Sequence, residues 1–305
     1  MYFDWFDTVT VFYSYAGDSQ EHFDDTVSEL RLRLEQYHKL LDIYHGYEGL
    51  NNLYTLNRNA GGDPVKLDPF LIEYLSYCKD LYYLTGGELN VMMGSVLRIW
   101  HECRETAVLP SMAELEAAAE HISIENLIID KQNCTAQITD PVASVDAGAV
   151  GKGFAAEKLA AYLKETNNSG YVVNIGGNLR LVGTKADGSD FITGIRSPYD
   201  EDELAVRISM KDSSCVTSGS YERNVVIDGK SYSHIIDRDT LMPADYYLSV
   251  SVITEDSALA DGLATALSCM DLETGYALIT SLEGVQAVWI MPDGTILSTE
   301  GVQAL

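Results

Sequence analysis

Cysteine is scarce in this chain, and long apolar runs are missing. Of the 305 residues only five are cysteines, widely spaced and without a CxxC or Cys/His ligand pattern: Cys78, Cys103, Cys134, Cys215 and Cys269. Neither a structural zinc site nor a disulfide framework is implied. No apolar run approaches the length of a membrane span, and no charged segment followed by an apolar one opens the chain. We therefore expect the chain, as given, to be soluble.

Basic residues are also scarce. Lysine and arginine total 20 against 46 aspartates and glutamates, which gives a formal net charge of −26. This charge argues against binding to nucleic acid or to an anionic membrane surface, because like charges repel. An anionic small molecule would need a local cation at its site. The apolar content of 46% is that of a folded protein, and 305 residues can bury a sizeable core.

Apolar periodicity predicts mixed helices and strands without a regular βαβ alternation, and therefore an α+β fold. Helical spacing covers residues 22–41, 69–84, 112–121 and 155–165, and the last clear helix begins near Ser257. The paired glycines at 86 and 87 end the second helix, and residues 91–103 are apolar enough to be largely buried. Strands are predicted at DTVTVFYSY, ENLIID, CTAQITD, YVVNIGG, NLRLVGTK, FITGIR, LAVRISM, CVTSG and RNVVIDG. Because no linker or repeat interrupts the chain, we expect a single domain over residues 1–305.

The stretch VDAGAVGKGF joins a predicted strand to a helix and is rich in glycine. Gly148, Gly151 and Gly153 leave room for a close approach of the backbone, and Lys152 places a positive charge where a helix N-terminus favours anions. A nucleotide phosphate would fit such a junction. The motif matches neither a Walker sequence nor GxGxxG, however, and simple close packing explains many such turns. Asp146 fits a helix cap as well as a ligand-binding carboxylate.

Asp261 and Thr265 are four residues apart in a helical pattern, so their side chains share one face. A carboxylate and a hydroxyl at this spacing offer two hard oxygen ligands to Mg²⁺, which keeps water or phosphate at its other positions. The alternative is a solvated aspartate beside a threonine that packs on its own helix. Spacing alone favours that alternative.

The order of several long motifs, taken together, is typical of one family. Along the chain these motifs are FDTVT, IYHGYEGLNNLYTLN, LTGGELNVMMGSVLRIW, VDAGAVGKGF, VVNIGGNLRLVGTK, TSGSYER, SHIIDRDT and SVSVITEDSALADGLATALSCM. They resemble the ApbE family of flavin transferases, which use magnesium to move the FMN half of FAD onto a threonine or serine of a partner protein. The resemblance covers nearly the whole chain and implies two α+β lobes (a T-fold-like architecture with mixed sheets and flanking helices) that no linker separates.

The resemblance implies a magnesium site. The helix motif DxxxT of the family matches Asp261 and Thr265, and a further oxygen from the glycine-rich junction matches Ala149, which could ligate only through its carbonyl. Some members carry a carboxylate where this chain has Ala264. We therefore expect fewer charged ligands here than in those members.

The resemblance also implies contacts with FAD and two residues for proton chemistry. Residues at positions that contact the nucleotide are Phe6, Tyr44, Glu88, Leu89, Asn90, Asp146, Lys152 and Ile235. Tyr44 would stack on the flavin, and Asn90 replaces the usual aspartate. His234 and Asp237 match the HIxDPxTG run, in which proline and glycine are replaced here by Arg238 and Leu241, so that the turn should differ in shape. A lone histidine is also often structural.

We accordingly expect Mg²⁺-dependent flavinylation, in which FMN passes from FAD to a Thr or Ser hydroxyl of a redox partner protein and AMP is released. An FAD pyrophosphatase that yields FMN and AMP, and a protein that binds FAD without turnover, are the alternatives. Many proteins of this family are exported lipoproteins with a leader before the first strand, where this chain has Met1. We expect an extracytoplasmic, membrane-anchored full-length form, with a cytoplasmic location as the alternative.

Overall fold

The computed structural model describes residues 2–200, 203–221 and 223–302, and these form a mixture of helices and strands that confirms the α+β prediction. The α-helices within these residues are α1 Gln20–Leu41, α2 Leu53–Arg58, α3 Pro69–Leu84, α4 Gly94–Thr106, α5 Met112–Ala119, α6 Gly151–Glu165, α7 Ser257–Ser268 and α8 Leu272–Ser281. The strands are β1 Tyr2–Trp5, β2 Thr8–Ser14, β3 Val65–Lys66, β4 Leu127–Asp130, β5 Thr135–Ile138, β6 Tyr171–Ile175, β7 Asn178–Val182, β8 Phe191–Arg196, β9 Leu204–Met210, β10 Ser214–Gly219, β11 Val225–Ile227, β12 Lys230–Tyr232, β13 Ser249–Thr254, β14 Gln286–Ile290 and β15 Ile296–Ser298.

The chain divides into two compact units. Unit 1 comprises the described residues of Met1–His38, Val150–Gly219 and Tyr246–Leu305, and unit 2 comprises those of Lys39–Ala149 and Ser220–Asp245. Unit 1 is built on an eight-stranded sheet in the order β1-β2-β6-β7-β10-β13-β14-β15, in which each neighbouring pair is antiparallel. The strands β8 and β9 form a separate hairpin of the same unit.

Both faces of the unit 1 sheet are covered. Val172 and Val173 are successive residues of β6 and therefore point to opposite faces. Val173 packs in a core with Leu30 of α1 and Leu159 of α6, whereas Val172 packs in a second core with Phe191 of β8. All six residues of β13 are buried, and Trp5 and Trp289 lie in the interior of this unit. The sheet is thus a central layer of unit 1, with α1 and α6 on one face and β8 on the other.

Unit 2 consists of the helices α2–α5, a three-stranded sheet in the order β3-β5-β4 and the hairpin of β11 and β12. Trp100 of α4 lies at the centre of its core, where it stacks on Tyr232 with ring centroids 6.1 Å apart. Its indole N–H donates a hydrogen bond of 2.8 Å to the carbonyl of Leu241. This contact ties the segment after β12 to the helical part of unit 2.

Most predicted elements are present, and α3 begins and ends where the pattern predicts. The prediction that the helix near Ser257 is the last one is wrong, because α8 and two strands follow it. The sequence of α8, LETGYALITS, is poor in strong helix formers, so local propensity does not identify it. The helix begins because Asp271 caps it by accepting a hydrogen bond of 3.0 Å from the N–H of Thr274.

None of the helices in the described residues is long and apolar enough to cross a membrane. No disulfide joins any two of the five cysteines, and four of them are buried.

Candidate functional site

The first turn of α6 packs directly against α7, and Gly153 makes this possible. A Cβ atom added at Gly153 would lie 2.3 Å from the carbonyl oxygen of Ser257 and 2.5 Å from the Cβ of Asp261. No side chain larger than hydrogen fits between the two helices at this point. Close packing, which the sequence left open for the glycine-rich junction, therefore explains Gly153.

The carboxylate of Asp261 is buried at this contact. The residue is 4% exposed, and its Oδ2 accepts a hydrogen bond of 2.8 Å from the N–H of Gly153. Burial raises the pKa of Asp261, while the positive charge of Lys152, the Gly153 N–H and the Asn178 side chain act to lower it. The amide Nδ2 of Asn178 nevertheless makes no hydrogen bond of regular geometry. A bound cation would stabilise such a carboxylate in its charged form.

Thr265 lies one turn after Asp261 on α7, as the spacing predicts. Its hydroxyl donates a hydrogen bond of 3.2 Å to the Asp261 carbonyl, so the oxygen still has lone pairs to offer a ligand. The structure therefore brings Lys152, Asp261 and Thr265 together within unit 1. Ala149 is the last residue of its segment of unit 2, and its part in a ligand set stays a prediction.

The chemistry of these donors suits Mg²⁺, because a carboxylate and a hydroxyl are hard oxygen ligands. Within residues 2–200, 203–221 and 223–302, no three His, Cys, Asp or Glu side chains are grouped in a way that could hold a metal ion. Asp261 is then the one carboxylate of the expected set. Such a donor set leaves most positions of Mg²⁺ to water and to substrate phosphate.

Asp146 shapes the junction before α6 but does not cap the helix. Its Oδ1 accepts a hydrogen bond of 2.7 Å from the N–H of Gly148, and its own N–H donates a hydrogen bond of 2.8 Å to the Val91 carbonyl. The N-cap of α6 is Val150, which has no capping side chain, so the helix-cap interpretation of Asp146 is wrong. The half-buried carboxylate stays a predicted FAD contact.

The segment Glu88–Asn90 is fixed by its own hydrogen bonds. The side chain of Leu89 is 1% exposed, so a nucleotide contact here would use the main chain. The Oδ1 of Asn90 accepts a hydrogen bond of 2.9 Å from the Met92 N–H. The Nδ2 of the same side chain donates a hydrogen bond of 2.8 Å to the Ile122 carbonyl. An aspartate could accept the first bond but not donate the second, which gives a structural reason for asparagine at this position.

The segment of His234 and Asp237 forms a tight turn in unit 2. Asp237 is 5% exposed, and its Oδ1 accepts hydrogen bonds of 2.8 Å from the N–H groups of Asp239 and Thr240. This carboxylate therefore holds the turn, while His234 is half-buried and Ile235 is 7% exposed. Leu241 has a φ of +59°, a conformation that favours glycine. The backbone at position 241 thus has a conformation that suits glycine, although the residue is leucine.

Arg238 connects this turn to the loop of Glu88. A Cβ at Gly87, which has a φ of +94°, would overlap the Nη1 of Arg238, so the guanidinium lies over the bare glycine. The Nε of Arg238 is 3.2 Å from the Oδ1 of Asp239. Burial raises the pKa of Glu88, the charges of Asp239 and Asp237 raise it further, and Arg238 lowers it. The predicted residues Glu88 and Asp237 are therefore brought together.

Two predicted aromatic contacts lie on separate units. Tyr44 of unit 2 is 53% exposed, and its ring lies 5.6 Å from that of His101. Its N–H donates 2.7 Å to the Oδ1 of Asp42. Phe6 of unit 1 is half-buried against the edge of the His38 ring, at 5.4 Å. The exposed ring of Tyr44 is able to stack on a planar ligand, and both contacts stay predictions.

Sequence reasoning passed over the buried polar residues that support Asp261. Asn178 and Arg180 of β7 are each 1% exposed, and Glu157 of α6 pairs with Arg180 at 2.9 Å. The signal was present in NIGGNLRLV, where two polar residues at alternate positions interrupt an otherwise apolar strand pattern.

Comparison with known proteins gives concordant results. The ApbE family model matches residues 8–289. The FAD:protein FMN transferase of Treponema pallidum is 31% identical over 265 residues, which cover 82% of this chain and 73% of that protein. The FAD:protein FMN transferase of Klebsiella pneumoniae is 25% identical over 278 residues, covering 90% and 85%.

Solved structures agree with these relatives. The flavin transferase ApbE of Vibrio cholerae superposes with a TM-score of 0.82 at 27% identity, over 97% of this chain and 94% of that one. The ApbE protein of Thermotoga maritima has a TM-score of 0.85 over 96% and 94%, and at 23% identity it supports the fold alone. With the family match over most of its length, the chain belongs to the ApbE family.

Proposed function

We propose that this protein transfers the FMN part of FAD to a threonine or serine hydroxyl of an acceptor redox protein and releases AMP. The observation that carries the proposal is the buried Asp261, held by the Gly153 N–H with the Thr265 hydroxyl one turn away. This arrangement occurs in a chain whose relatives in Treponema pallidum and Klebsiella pneumoniae are named FAD:protein FMN transferases.

Asp261 and Thr265 are the side chains of unit 1 that would hold Mg²⁺. When bound, Mg²⁺ would neutralise charge on the pyrophosphate and so favour attack at phosphorus. Lys152, in the first turn of α6, places a positive charge at the helix N-terminus, where a phosphate group is favoured. The exposed ring of Tyr44 would orient the flavin by stacking, which adds about 0.5–1.5 kcal/mol.

The transfer forms one phosphorus–oxygen bond and breaks another. The acceptor hydroxyl oxygen bonds to the FMN phosphorus, the pyrophosphate bond to the AMP oxygen breaks, and AMP leaves. His234 would accept the hydroxyl proton, because a neutral imidazole is a base near physiological pH. Asp237 contributes indirectly, since its two hydrogen bonds hold the turn that follows His234.

The test is incubation of the protein with FAD, Mg²⁺ and candidate acceptor peptides that contain Thr or Ser, with mass spectrometry of the peptide and measurement of AMP. We expect an FMN-sized adduct and AMP in equal amounts, both lost in Asp261→Asn. Asp293→Asn, which removes a fully exposed carboxylate, is the matched control and should keep full activity.

Other outcomes separate the alternative functions. AMP and free FMN without an adduct on any peptide would indicate FAD hydrolysis. Bound FAD that stays intact with Mg²⁺ present would contradict both reactions and favour a carrier.

A further inference from the structure

Two polar side chains of β7 are buried under α6 and α7 and have charged or polar partners there. Arg180 is 1% exposed, and its Nε donates a hydrogen bond of 2.9 Å to the Oε2 of Glu157 on α6. The far side of the guanidinium contacts Asp212 at 3.3 Å. A buried guanidinium without a charged partner is strongly unfavourable, so the pairing of Arg180 with Glu157 constrains the packing of α6 over the sheet.

The same glutamate holds the beginning of α7. Its Oε2 also accepts a hydrogen bond of 2.9 Å from the N–H of Ser257, the first residue of that helix. The Ser257 hydroxyl donates a hydrogen bond of 2.7 Å to the Oδ1 of Asn178. The N-terminal turn of α7 is therefore fixed from α6 by a carboxylate and from β7 by an amide.

These contacts lie on the face of α7 that carries Asp261. Ser257 and Asp261 are four residues apart, and so are Gly153 and Glu157 on α6. One face of α6 thus supplies both contacts. The Gly153 N–H binds the Asp261 carboxylate, and the Glu157 carboxylate binds the start of α7. A displacement of the α7 N-terminus would move Asp261 relative to the Gly153 N–H.

We propose that Glu157 and Arg180 are positioning residues, which hold the first turn of α7 so that Asp261 presents its carboxylate to a divalent cation. The inference rests on the proposed function, because that function gives Asp261 its role as a ligand. Neither residue contacts the cation. Partners of this kind, one shell beyond the ligands, change metal affinity by about 10- to 100-fold when they are removed.

The test measures the affinity for Mn²⁺ in the presence of FAD. Electron paramagnetic resonance detects the unbound Mn²⁺, so the measurement does not require turnover. Glu157→Ala should weaken Mn²⁺ binding by about 10-fold or more. Glu157→Gln keeps an oxygen that can accept from the Ser257 N–H and should restore most of the affinity. Lys164→Gln is the control, because Lys164 pairs with Asp212 at 3.0 Å in the same network without touching α7.

A second variant tests the proposal if Glu157→Ala does not fold. Ser257→Ala removes only the hydroxyl bond to Asn178 and should weaken Mn²⁺ binding several-fold while the helix N–H bond remains. In variants that remain active, the Mg²⁺ concentration that gives half-maximal activity should rise, while the KM for the acceptor peptide stays the same.

Two results would overturn the inference. Wild-type Mn²⁺ affinity in folded Glu157→Ala and Ser257→Ala, with only a lower melting temperature, would reduce the network to a structural role. Absence of Mn²⁺ binding by the wild-type protein with FAD would also overturn it. Failure of the proposed function is a different result, in which the wild type binds Mn²⁺ and FAD but forms neither adduct nor AMP.

Discussion

The backbone N–H of Gly153 donates a hydrogen bond of 2.8 Å to the carboxylate of Asp261, 108 positions later in the chain. The same glycine leaves room for the Ser257 carbonyl and the Asp261 Cβ. Its missing side chain and its N–H therefore act together, because the carboxylate reaches the N–H only when the two helices are this close.

Gly153→Ala should separate α6 from α7. Alanine normally stabilises a helix interior relative to glycine by about 1 kcal/mol, but here its Cβ would overlap backbone atoms that cannot rotate away. We expect a net loss of about 1–3 kcal/mol in the free energy of unfolding, measured by urea denaturation, and weaker Mn²⁺ binding.

Gly275→Ala in α8 is the matched control for Gly153→Ala. The nearest atom to its Cβ would be the Leu267 Cδ2 at 3.0 Å, the end of a flexible side chain. This variant should be near neutral. Equal stability of the two variants would contradict the role of Gly153.

Asn90→Asp should destabilise unit 2. The change keeps the bond from the Met92 N–H but places a carboxylate oxygen against the Ile122 carbonyl, to which Asn90 now donates. We expect a loss of about 1–3 kcal/mol, measured by chemical denaturation at pH 7. Asn90→Ala should lose both bonds, and a fully stable Asn90→Asp protein would show that the amide donor is dispensable.

Glu88→Gln should stabilise the protein at neutral pH. Burial and the nearby carboxylates of Asp239 and Asp237 raise the pKa of Glu88 above its ordinary 4.5. A raised pKa means that the folded state favours the protonated form, so this group costs stability as pH rises through its folded pKa. The melting temperature of the variant should exceed that of the wild type at pH 7, and the difference should vanish below pH 4.5. Glu116→Gln, which removes one exposed carboxylate of α5, is the control variant.

Asp42→Asn should have the opposite pH dependence. Burial acts to raise the pKa of Asp42, but hydrogen bonds from Tyr44, Tyr47 and His45 outweigh it and lower the pKa below 3.8. This group therefore contributes stability above pH 3.8, which is lost as pH falls through its folded pKa. We expect the variant to be less stable by about 1–3 kcal/mol at pH 7, with a smaller difference near pH 3.

The phenol of Tyr47 gives a second measurement for Asp42→Asn. Burial and the Asp42 carboxylate raise the pKa of Tyr47 to about 12. In the variant, absorbance titration should show this pKa lower than in the wild type. Tyr47→Phe removes only one of the bonds to Asp42 and should cost less stability, which separates the two contributions.

The sequence predicted local relationships better than long-range ones. Four-residue spacing placed Thr265 on the face of Asp261, and the structure confirms this, because such spacing depends only on helix geometry. The Gly153 donor could not be predicted in this way, since periodicity does not say which helix covers a given face. The polar pair of Arg180 and Glu157 was missed for the same reason: its members are distant in sequence, and only tertiary packing brings them together.

Each unit has at least one tryptophan of its own, which can serve as an optical reporter of its folding. Trp100 is buried in unit 2, whereas Trp5 and Trp289 are buried in unit 1, and the chain has three tryptophans in all. Fluorescence of Trp100→Phe would follow unit 1 alone, and the Trp5→Phe/Trp289→Phe double variant would follow unit 2. Coincident denaturation curves from the two proteins would mean that both units unfold as one cooperative body, whereas separate midpoints would give the stability of each unit.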